Sequence, residues 1–81
     1  MNKQYVNFSA NVPTITRIRV WLLLKGWSLR ELAKHTPISS QAWHKILSNE
    51  TRIRAKHIVM LRAAFDCEFE QLICKIGRAH V

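Results

Sequence analysis

Acidic residues are scarce in this 81-residue chain. Five Asp and Glu stand against thirteen Lys and Arg, a formal net charge of +8. So basic a small chain points to a polyanionic partner, nucleic acid first and an anionic membrane surface second. Cysteine is also rare, with Cys67 and Cys74 alone, whereas a disulfide scaffold of this size usually carries four or more. On one helix the pair would lie about 10 Å apart, too far for one disulfide. They read as structural thiols of a reducing compartment. The longest unbroken apolar run, Val20 to Leu24, is far too short to span a bilayer. Residues 1–13 lack a cationic start followed by an apolar run, so no signal peptide is expected and the location expected is cytoplasmic. There is no Gly-rich phosphate loop and no nucleophile–base–acid set. The four histidines have no metal-like pairing. An enzyme, a metal site and a cofactor are therefore not expected.

What is present is apolar residue at helical spacing. A hydrophobic share of 48% supports one packed core in one domain. No two-residue alternation or hairpin turn signal interrupts it, so the class is all-α. Residues 1–13 show no clear period and read as an N-terminal arm. Residues 14–76 form the domain, and 77–81 a C-terminal tail. Thr14 is placed as the N-cap of a first helix running to about Lys25, stopped by Gly26. Ser28 caps a second helix reaching about His35 that buries Leu29, Leu32 and Ala33, with Glu31 three residues on from Ser28 as a capping box. Pro37 breaks the chain. Ser39 or Ser40 caps a third helix to about Leu47, with Ala42, Trp43, Ile46 and Leu47 facing inward. Ser48 to Ile53 reads as a polar loop. A fourth helix follows from about Arg54 to Phe65, and a fifth from Glu68 to about Ile76 burying Phe69, Leu72, Ile73 and Ile76.

Two short helices, Ser28–His35 and Ser40–Leu47, about four residues apart are the helix-turn-helix pattern. The strings GWSLRELA (Gly26 to Ala33), TPISSQAW (Thr36 to Trp43) and AAFDCEFEQL (Ala63 to Leu72) carry the likeness further. Over about Ile18 to Ile73 the chain resembles the Cro/repressor-type, or lambda-repressor-like, helix-turn-helix family. The resemblance implies a compact five-helix domain that binds double-stranded DNA, with the helix-turn-helix formed by helices 2 and 3. The chain departs from the family at Pro37, where Gly is common in the turn, and at Leu29, where Gln is common. Some relatives pair a first-helix Arg with a buried Glu at the end of the recognition helix. The matching residues here are Leu22 and Leu47, an ion pair exchanged for an apolar contact.

By the same resemblance, the residues presented to base edges are Ser40, Gln41, His44 and Lys45. Gln suits an adenine edge and Lys a guanine edge. Phosphate contacts from helix starts and flanking loops fall to Ser28, Arg30, Asn49, Thr51, Arg52 and Arg54. From Arg17 to Lys56 there are nine Lys or Arg and only Glu31 and Glu50 against them, which suggests a basic face. Trp21, Trp27 and Trp43 match apolar core positions, which weighs against single-strand stacking platforms. The first helix is apolar almost all round, so Val20, Leu23 or Leu24 needs covering by the arm or by a second subunit. These readings describe a DNA-binding transcriptional regulator, a repressor of phage or mobile-element type, pairing as a homodimer on its operator. The alternatives are an antitoxin-like protein that binds a toxin as well as its operator, and a protein-interaction module that keeps the fold.

Overall fold

A computed structural model of the chain describes residues 5–73, which form four α-helices and two 3-10 turns. Helix α1 spans Thr14–Lys25. Its N-cap is Pro13, and Thr14 is instead the first helical residue. Pro13 needs no partner for an N–H it lacks, but it offers no capping oxygen. That oxygen comes from across the chain, where Glu50 Oε2 accepts from the Ile15 N–H at 2.8 Å. A carboxylate there also suits the positive end of the helix dipole. At the other end Gly26 takes φ 70, and Trp27 N–H donates to the Leu22 carbonyl at 2.9 Å. A Cβ on Gly26 would meet nothing within 4 Å, so its backbone angle, not space, asks for glycine.

Helix α2 is Leu29–Lys34 and α3 is Ser40–Ile46. Ser28 Oγ accepts from Glu31 N–H at 3.3 Å and Ser39 Oγ from Ala42 N–H at 3.2 Å, so each helix is started by its own serine. The expected loop 48–53 contains a 3-10 turn, Glu50–Arg52, capped by Asn49 Oδ1. Helix α4 is Ala55–Phe65. It closes on Asp66, whose φ of 56 is tolerated by a short polar side chain.

The core gathers Ile18, Trp21 and Leu22 of α1, Leu32 of α2, Trp43 and Leu47 at α3, and Ile58, Leu61 and Phe65 of α4, with Cys67 and Leu72. The Trp21 and Phe65 rings stack at 5.9 Å. Leu22 and Leu47, expected to meet, both belong to this buried cluster. Burial pushes the Cys67 thiol up to about 11, where it stays protonated. Cys74 lies outside the described residues.

The end of the domain also departs from expectation. The fold has four α-helices among the described residues, not five. In place of a helix from Glu68 stands a 3-10 turn, Phe69–Gln71, and Ile76 lies outside the described residues. A three-residue turn cannot keep the 3.6-residue stripe that would bury Phe69. Phe69 is 44% exposed, while Gln71 and Leu72 point in at 2% and 0%.

Gln71 is buried because it holds the arm. Its Oε1 accepts from Val6 N–H at 2.7 Å and its Nε2 donates to the Val6 carbonyl at 2.9 Å, as a neighbouring strand would. Arg17, also buried, donates to the carbonyls of Val12, Ser9, Ala10 and Glu70 at 2.8 to 3.4 Å and lies over the Phe8 ring. The arm thus folds back on its own domain. Its described residues leave uncovered the surplus apolar face of α1, where Leu23 is 81% and Leu24 44% exposed. No helix among the described residues is long and apolar enough to cross a membrane.

Candidate nucleic-acid interface

Local sequence makes α2 and α3 short and separates them. Pro37 prevents α2 from running on, and Ser39 restarts the chain as a helix. The turn is then tied by one relay of hydrogen bonds. The buried Trp43 indole donates to Thr36 Oγ1 at 2.8 Å, and Thr36 Oγ1 donates to the Leu32 carbonyl at 3.0 Å. One hydroxyl therefore joins the last turn of α2 to the middle of α3. The His57 ring meets Trp43 edge-on at 5.7 Å. His57 Nδ1 accepts from the Arg54 N–H at 2.9 Å, which caps α4. Burial, with the charges of Lys56 and Arg54, holds the His57 pKa below its ordinary value, so the ring is the neutral acceptor this bond needs.

In front of this frame lies an open groove of about 1000 Å³ lined by Ser28, Leu29, Arg30, Ser39, Ser40, Gln41, Ala42, His44 and Lys45. All four expected base-edge residues line it, and so do Ser28 and Arg30 from α2. Gln41, His44 and Lys45 are exposed, and Ser40 is half-buried. Asn49, Thr51, Arg52 and Arg54 are exposed too, but they lie beyond α3 and do not line the groove. Asn49 Oδ1 is occupied within its own turn, accepting from both the N–H and the hydroxyl of Thr51.

Charge follows the same geometry. Glu31 is drawn to Lys34 at 3.3 Å, and Glu50 is turned onto the start of α1. Both acids of the basic stretch are thus engaged, while Arg30, Lys45, Arg52 and Arg54 face solvent. Arg17, counted with the basic residues from sequence, is not part of that face, since its guanidinium is spent on the arm. Its spacing from Trp21, one helical turn on, was the available signal that it points inward. Leu29 and Ala42, read from sequence as inward-facing, are instead half-buried and line the groove, and Ser39 lines it as well. Only the packing of α2 against α3 brings them to one groove.

A short helix, a tight turn and a second helix whose first turns share an open, basic groove define a helix-turn-helix DNA-binding domain. Residues 17–74 match the Cro/C1-type HTH DNA-binding domain, and the chain belongs to that family. Comparison with curated proteins and with solved structures returned no match.

Proposed function

We propose that the chain is a sequence-specific double-stranded DNA-binding regulator that lays α3 in the major groove. The observation that carries this reading is the shared groove, which gathers Ser28 and Arg30 of the α2 start with Ser40, Gln41, His44 and Lys45 of α3. In this reading Ser40, Gln41, His44 and Lys45 meet base edges, where Gln and Lys carry the adenine and guanine preferences. Ser28, Arg30, Asn49, Thr51, Arg52 and Arg54 meet the phosphates on either side. One such helix reads too few base pairs to define a genomic site, so two copies bind a two-fold operator with half-sites about 34 Å apart. A repressor role of phage or mobile-element type, in the cytoplasm, belongs to the same reading.

Gel shifts over a salt series test the first claim. With roughly four to six phosphate contacts per subunit, affinity falls steeply between low and moderate salt. Binding indifferent to salt, or none, would refute it. The roles separate by comparing operator with scrambled duplex. Gln41→Ala and Lys45→Ala lower the ratio, whereas Arg52→Ala weakens both alike. If Arg52→Ala changed the ratio most, the placement of α3 would be wrong.

A second reading draws on the uncovered side of α1. Leu23 and Leu24 are apolar and exposed, as a surface awaiting a protein would be. A toxin-like or other protein partner there would make the chain an antitoxin-like member or an interaction module. Co-purification of a neighbour-encoded protein, lost in Leu23→Lys, is the result that favours it.

A further inference from the structure

The groove is not polar throughout. Leu29, the first residue of α2, and Ala42, in α3, both line it. Each is only half-buried, although Leu29 also packs on the core. Their hydrocarbon therefore stands in the groove beside Gln41 and Lys45, where every other lining side chain is polar or charged. Against water or the nitrogen and oxygen edges of bases, an apolar wall gains nothing. Against another apolar group, both surfaces leave water. The base edges of the major groove offer one such group, the 5-methyl of a pyrimidine.

We infer that Leu29 and Ala42 form a contact for a pyrimidine 5-methyl group, and so fix a methylated pyrimidine at one position of each half-site. The inference rests on the DNA-binding reading above and adds to it the chemistry of one base. Gln41 and Lys45 discriminate by hydrogen bonds. Leu29 and Ala42 discriminate by methyl burial, which separates thymine from unmethylated cytosine and from purines. The methyl has two sources, thymine and 5-methylcytosine, and they share this chemistry.

The test uses the duplex that the intact chain selects from a random library. Each thymine is replaced in turn by deoxyuridine, which removes the methyl and no hydrogen-bonding atom. Each cytosine is replaced in a parallel set by 5-methylcytosine. One position per half-site should weaken about fourfold on losing its methyl, the worth of one buried methyl-sized group. A gain of the same size at a cytosine, with no loss at any deoxyuridine, would assign the contact to 5-methylcytosine. Leu29→Ser should flatten the methyl ratio to about one at that position, while Leu29→Met retains it. Each ratio compares two duplexes with the same protein, so a loss of folded fraction cancels. Tight binding with no methyl-sensitive position would overturn the inference, and so would a ratio that Leu29→Ser leaves unchanged. Failure to bind any duplex is a different result. It refutes the DNA-binding reading itself and takes the methyl contact with it.

Discussion

Replacing Thr36 by Val swaps a hydroxyl for a methyl of similar size at the joint between α2 and α3. Two hydrogen bonds disappear, and they differ in consequence. The Leu32 carbonyl loses Thr36 Oγ1 but still accepts from His35 N–H at 3.0 Å. The Trp43 indole N–H loses its acceptor in a residue that is 0% exposed. A buried donor left unsatisfied costs about 1–3 kcal/mol. For a domain of this size each kcal/mol lowers the melting temperature by about 4–8 °C. Thr36→Val should therefore melt well below the parent, measured by circular dichroism or tryptophan fluorescence. The cost belongs to the pair, and a double-mutant cycle can isolate it. Trp43→Phe removes the donor along with part of the ring, so adding Thr36→Val to that background should cost much less than it does alone. A coupling of about 1 kcal/mol or more is expected for residues sharing a buried hydrogen bond. Thr36→Val melting with the parent, or strictly additive single changes, would refute the relay as the tie between the two helices.

Gln71→Ala should free the start of the arm while Arg17 keeps Ser9 to Val12 in place. Two lost hydrogen bonds cost about 1–3 kcal/mol, and limited proteolysis should cut ahead of Ser9 faster than in the parent. Leu47→Glu puts a carboxylate where the native side chain is 2% exposed, and should destabilise by about 3–5 kcal/mol. Adding Leu22→Arg should recover part of that, and a cycle with no coupling would separate the two positions. His57 has a folded pKa below its ordinary 6.5. The unfolded chain therefore takes up a proton first as pH falls. Stability should be level above about 6.5, decline below it, and level again below the folded pKa. Urea unfolding across that range checks the sign, and His57→Gln should flatten the decline.

Local pattern alone carried much of this fold. Gly26 stopping α1, Ser28 and Ser39 starting α2 and α3, and the inward stripe of Ile58, Leu61 and Phe65 all depend on neighbours within one or two turns. The helix-turn-helix pattern was legible for that reason, and so were the exposed positions on α3. Charge balance, a sum over residues, was legible too, and with it the expectation of a polyanionic partner. Contacts between distant segments decided the rest. Glu50 capping α1, Gln71 pairing with Val6, and Arg17 collecting four carbonyls join residues that no periodicity relates. Each of these side chains is polar, and composition alone would leave it on the surface, although the helical spacing of Arg17 from Trp21 points inward. Each was turned inward, or onto another element, by a backbone group that needed a partner. The apolar wall of the groove had the same origin. Leu29 and Ala42 read in sequence as inward-facing helix residues, and only the packing of α2 on α3 leaves both half-buried along one groove.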